Sequence, residues 1–168
     1  KPFFLTVQMG PPHDPYGAPE EYMKRYDAAK LTPPANWQPG SEVRPGGPGI
    51  PPKLRRPGMP NAQYVPTGGR EEIAAYYAAV TAIDDQMGRL LATLKETGAD
   101  ENTIILFTSD HGDMLGSHGM RRKRKPHDES ARIPGILRWP ARVPKGRVVD
   151  TLFSHVDMPP TLLALAAP

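Results

Sequence analysis

Apolar positions along this chain fall into two kinds of run. Blocks of consecutive apolar residues at 3–7, 103–108 and 133–139 predict short strands, because such aromatic and β-branched runs suit a strand buried on both faces. Pro134 interrupts the last block and Pro140 closes it. Over 70–97 the spacing changes to threes and fours. Ile73, Tyr76, Tyr77, Val80, Ile83, Met87, Leu90, Leu91 and Leu94 form one broad stripe, the pattern of an amphipathic helix. Glu71 and Glu72 occupy its first turn, where the macrodipole favours anions, and Gly98 is available for a left-handed residue behind its last turn. A brief helical segment is predicted at 20–29. A final helix is expected to begin near Asp157, with Pro159 and Pro160 in its first turn and Leu162, Leu163 and Leu165 facing inward.

The resulting order is strand, long loop, helix, strand, irregular loop, strand, helix. Such alternation points to the α/β class, a sheet with helices on its faces. Residues 31–69 carry no periodicity, and most of the 22 prolines lie between Pro11 and Pro66, which excludes regular helix or central strand there. A loop of this length is more often functional or inserted than inert. The sequence opens on Lys1-Pro2-Phe3, within an apolar run, and closes on Ala167-Pro168 at the end of a helical pattern. We therefore expect the middle of a longer polypeptide and an incomplete domain.

Composition narrows the chemistry. With no cysteine there is no disulfide framework, thiolate metal site or thiol nucleophile. No apolar run reaches the length of about 18 residues that a transmembrane helix requires. The net charge of +3 is compatible with an anionic substrate and is weak support for nucleic-acid binding.

Ser109-Asp110-His111-Gly112 follows directly on the run 103–108. A strand ending in a carboxylate and an imidazole delivers two metal-ligand types to a sheet edge, where open α/β sheets bind their ligands. The alternative is structural: Asp110 caps a turn and His111 packs. Oxygen-only shells suit calcium or magnesium, whereas an imidazole suits zinc or manganese, so these residues leave the ion open. His13 sits in Pro-Pro-His-Asp-Pro, its backbone stiffened on both sides. It reads either as an anion contact and proton donor or as an ordinary loop histidine. The five cations Arg121-Arg122-Lys123-Arg124-Lys125 lack the interleaved aromatics of a nucleic-acid platform. They read as a solvated loop, or as a loop from which one cation reaches a tetrahedral anion. Asp128, Glu129 and Ser130 suit turn capping and ion pairing, and Asp84-Asp85 lie on the long helix without a catalytic reading.

Taken in order, the chain carries Pro11-Pro12-His13-x-Pro15-Tyr16, then Tyr77-x3-Thr81-x2-Asp84-x3-Gly88-x2-Leu91. Next come Thr103-Ile104-Ile105-x-Phe107-Thr108-Ser109-Asp110-His111-Gly112-Asp113-x-Leu115-Gly116-x-His118-Gly119, Glu129-Ser130-x-Arg132-Ile133-Pro134 and Asp157-x-Pro159-Pro160-Thr161-Leu162. This succession resembles the second half of the catalytic domain of the formylglycine-dependent sulfatases, arylsulfatase-like members of the alkaline-phosphatase-like superfamily. The resemblance implies that residues 1–168 are a partial sulfatase catalytic domain, with 31–67 a Pro/Gly-rich loop or insertion. It implies that Asp110 and His111 ligate a divalent metal, calcium by family habit. It also implies that His13 contacts the sulfate ester and protonates its leaving oxygen, and that Lys123 binds the sulfate group. The family's nucleophile is a formylglycine made in a C/S-x-P/A-x-R segment, and this chain has no such segment. Two further metal-ligating Asp residues and the smaller C-terminal subdomain of the family are also not found.

The expected function is hydrolysis of small-molecule or carbohydrate sulfate monoesters by the complete protein, with these 168 residues inactive alone. The alternatives are a phosphoester or phosphonate hydrolase of the same superfamily, or a non-catalytic remnant. Neither a nucleic-acid partner nor a membrane span is expected. Family habit implies a periplasmic or secreted location.

Overall fold

The computed structural model describes residues 2–38, 62–64 (backbone) and 69–166. The chain enters strand β1 (Gly17–Pro19) and turns into the four-residue helix α1 (Glu20–Met23). A single 3₁₀ turn follows at Ala28–Lys30, where the Asp27 side chain accepts from Ala29 N at 3.0 Å. Strand β2 (Ala62–Tyr64) returns antiparallel to β1, with Gly17 opposite Tyr64. The long helix α2 (Arg70–Glu96) then runs for 27 residues, about 40 Å at the α-helical rise.

Helix α2 ends as the glycine foretold. Gly98 adopts φ +71°, its N–H donates to Lys95 O at 3.1 Å, and Ala99 N donates to Leu94 O at 2.9 Å. That pair of bonds satisfies two carbonyls the helix would otherwise leave open. Which face is buried differs from the predicted stripe. The covered positions are Glu72, Ile73, Ala74, Ala75, Ala78 and Ala79, all in the first three turns, while Tyr77, Val80 and Leu90 remain exposed. Alanine explains the choice, since its small side chain lets β1 and α1 approach the helix closely. Ala18 and Tyr22 pack on Ala78 and Ala79, and Met23, Tyr26 and Ala82 close the cluster.

Beyond α2 a 3₁₀ turn (Asp100–Asn102) leads into strand β3 (Ile105–Thr108). Strand β4 (Gly135–Arg138) pairs with it antiparallel, Ile105 opposite Arg138 and Thr108 opposite Gly135. Between them lies the loop carrying the cation run and the short helix α3 (Asp128–Ala131). A 3₁₀ turn at His155–Asp157, closed by a reciprocal Ser154–Asp157 capping box, starts helix α4 (Met158–Ala166).

Three expectations are corrected. Residues 3–7 form no strand, and Phe3, Phe4, Leu5 and Val7 are exposed. A strand requires a neighbour for its backbone groups, and no described segment pairs with this one. The predicted inward face of α4 is not buried either; Leu163 stands 73% exposed, and the helix packs chiefly on the 3₁₀ turn before it. Finally, the aperiodic region 31–69 holds β2 and a bridge from Trp37 to Ser117. The remainder of 31–67, at 39–61 and 65–67, lies outside the described residues. The sheets are two antiparallel pairs among the described residues, and α2 packs on β1 and α1 rather than over β3.

Candidate active site

The site begins where β3 stops. Ser109 leaves the ladder and its hydroxyl donates to His111 O at 2.7 Å, turning the backbone so that Asp110 and His111 project side by side. His155 Nε2–H donates to Ser109 O at 2.8 Å. His111 Nδ1–H donates to Gly112 O at 2.7 Å, which assigns the proton to Nδ1 and leaves the lone pair on Nε2. That Nε2 is buried without a hydrogen-bond partner and lies 3.3 Å from Asp110 Oδ2. Gly112 is required here by space: a Cβ would collide with the Glu129 carbonyl, while Gly112 N donates to Ser130 O at 2.9 Å.

The donor chemistry of these two side chains fits a divalent cation. A metal-bound histidine usually donates its second N–H to a backbone carbonyl, which fixes the ring, and His111 does so. Its orphaned Nε2 and the adjacent carboxylate oxygen, with Asp110 83% exposed, supply one nitrogen and one oxygen donor. No group of three or more such donors converges among the described residues.

Asp113 organises the loop that follows. Its Oδ1 accepts from Leu115 N at 3.0 Å and Arg122 N at 3.1 Å, closing residues 113–122 into a ring of backbone contacts. Its Oδ2 accepts the Tyr16 hydroxyl at 2.6 Å, tying this loop to the one that carries His13. Burial, reinforced by the Asp113 carboxylate, pushes the Tyr16 phenol well above the usual tyrosine range. Buried Arg121 meets buried Glu72 of α2 in an ion pair, and Arg122 reaches Asp14 at 3.1 Å.

This bracing places Lys123. Its ammonium donates to His13 Nε2 at 2.9 Å, joining residues 110 positions apart. His13 Nδ1–H in turn donates to Asp14 O at 2.7 Å, and the Asp14 carboxylate lies 3.2 Å from the same nitrogen. Asp110, His111, Lys123, Arg124, Lys125, Ser130 and Ala131 line one open cleft of about 490 Å³. The four sequence-predicted site residues are thus brought together, Asp110, His111 and Lys123 on the cleft wall and His13 against Lys123. Sequence reasoning missed the bracing residues Tyr16, Asp113 and Asp14. Each stood inside a quoted motif, but only the fold shows that they join the motifs to one another. Of the two carboxylates read as ion-pairing, Asp128 and Glu129, Glu129 accepts from Asn36 at 3.1 Å and lies 3.7 Å from His118.

The family model described as Sulfatase matches residues 1–168. An arylsulfatase of Clostridium perfringens is 37% identical over 99% of this chain, which spans 34% of that relative. A solved structure from the metabolism of multiple glycosaminoglycans by Bacteroides thetaiotaomicron superposes with TM-score 0.73 at 32% identity, over 98% of this chain and 30% of the other. The phosphonate monoester hydrolase of Silicibacter pomeroyi gives TM-score 0.69 at 32% identity, over 91% of this chain and 31% of its own. The chain therefore spans about a third of the curated relatives it matches. The solved neighbours have the alkaline-phosphatase-like fold, and the chain matches part of it. Metal and formylglycine use are general to this group. The motifs, the loop bracing and the match along the whole chain converge: this chain belongs to the sulfatase family.

Proposed function

We propose that the complete protein hydrolyses sulfate monoesters of small molecules or carbohydrates, and that Asp110, His111, His13 and Lys123 belong to its active site. The observation that carries this reading is the 2.9 Å contact between Lys123 Nζ and His13 Nε2 beside the cleft holding Asp110 and His111. A cation and an imidazole so placed can grip one tetrahedral anion between them. In the free protein the Lys123 ammonium donates to His13 Nε2; an arriving sulfuryl oxygen takes over that donor. His13 Nε2, once protonated, then faces the ester oxygen and gives it the proton as the sulfur–oxygen bond breaks. Asp14 holds the ring through Nδ1, so the proton leaves from a defined atom.

Asp110 and His111 would hold the divalent ion, with calcium favoured by family habit. When bound, such an ion supplies positive charge to the sulfuryl oxygens. Lys123 supplies a further positive charge in the same cleft, its loop preorganised by Asp113. We assign no nucleophile to this chain, and expect the formylglycine of the family to serve.

A phosphonate or phosphoester substrate is the second reading, supported by the likeness to the phosphonate monoester hydrolase. Kinetics of the complete protein with an aryl sulfate and with the matching aryl phosphonate ester separate the two. We expect the sulfate to give the higher kcat/KM, and Lys123→Ala to lower it by about 10²–10³, the usual loss for one preorganised oxyanion donor. A larger kcat/KM for the phosphonate would overturn the proposal.

A further inference from the structure

The five cations of 121–125 do not share one task. Arg121 is neutralised by Glu72, Arg122 by Asp14, and Lys123 is turned to His13. Arg124 has no acidic or hydrogen-bonding partner among the described residues, is exposed, and lines the same cleft as Lys123, Asp110 and His111. Arg122 and Arg124 both take left-handed backbone, φ 63° and 66°. Non-glycine residues hold that conformation only where their surroundings over-determine it. Here they do. Arg122 N is bonded to Asp113, Met114 N donates to Arg122 O at 3.0 Å, and Lys125 N donates to Ser130 Oγ at 3.3 Å. Arg124 is therefore a cation fixed at both flanks on a cleft wall, next in sequence to the residue that grips the sulfate.

We propose that Arg124 forms a second oxyanion subsite, and that the substrate carries, close to the ester being cleaved, another sulfate or a carboxylate. The inference rests on the sulfatase reading of Lys123 and extends it to substrate class. The guanidinium fork matches the paired oxygens of either group, which a point charge does not. A neutral alcohol bearing one sulfate would leave Arg124 without a counter-charge in the complex.

The experiment measures binding and turnover by the complete protein of a hexose monosulfate, the corresponding hexose disulfate and a hexuronate monosulfate. Calorimetry supplies affinity and sulfate release supplies kcat/KM. We expect the wild type to bind at least one doubly anionic ligand about tenfold tighter than the monosulfate, and the two dianionic arms show which second group is preferred. Arg124→Asn, whose side chain tolerates left-handed backbone, should bring that ratio close to one, and Arg124→Lys should keep part of it. The preference should also weaken as salt rises. An unaltered affinity ratio in Arg124→Asn, or equal affinities in the wild type, overturns the subsite. Failure to release sulfate from any of the three ligands would count against the sulfatase reading instead, because the affinity ratios test the subsite without turnover.

Discussion

Arg121 and Glu72 form the only contact between two buried charges among the described residues, at 8% and 2% exposure. Their pair ties the loop of residues 113–122 to the first turn of α2, two residues before Lys123. Replacing Arg121 by Met removes the cation but leaves the Glu72 carboxylate buried without that counter-charge. Breaking such a pair from one side costs about 3–5 kcal/mol, whereas exchanging both members for apolar residues of similar size is often neutral or stabilising. With a urea dependence near 2 kcal/mol per molar, about 4 kcal/mol lowers the unfolding midpoint by roughly 2 M. We therefore expect Arg121→Met and Glu72→Met each to shift the urea midpoint of the complete protein strongly downward. The double variant should recover most of the loss. Circular dichroism at increasing urea measures all four corners of this cycle, and the coupling is read from non-additivity. Single variants within about 0.5 kcal/mol of wild type, the level of ordinary surface changes, would refute the reasoning, as would simple additivity in the double variant.

Two further outcomes follow from the same geometry. Tyr16→Phe removes a 2.6 Å hydrogen bond to the Asp113 carboxylate and should cost about 1.5–3 kcal/mol, the range for bonds to charged groups. Because folding holds the Tyr16 phenol above its ordinary value, its contribution is complete below about pH 10 and is lost as pH rises further. Urea midpoints at pH 8 and 10.5 should thus fall more steeply in the wild type than in Tyr16→Phe; parallel falls would contradict this account. Asp110→Ala should abolish calcium binding by calorimetry together with sulfate release. Retention of normal metal-dependent activity would remove Asp110 from the ligand set.

How far the sequence could be read depended on how local the responsible interactions were. Helix α2 and its stop were legible because a periodic stripe, two first-turn carboxylates and Gly98 all act within a few residues. Strand β3 and the Asp110-His111 step behind it were legible for the same reason, as was the final helix start near Asp157. Burial was not. Residues 3–7 have the composition of a strand, yet among the described residues nothing pairs with them. The stripe on α2 ran past the point where β1 and α1 cover it, so its later members stay in solvent.

By itself, the sequence determined most of the element types and the family motifs, since these rest on backbone propensity and residue order, and the resemblance those motifs carry named the four candidate site residues. Only the tertiary structure decided which of five neighbouring cations meets His13, which pair with carboxylates, and which line the cleft. The physical reason is separation. Tyr16 and Asp113 are 97 positions apart and Lys123 and His13 are 110 apart. Contacts across such distances depend on how two loops are braced against α2, which no short window of sequence encodes.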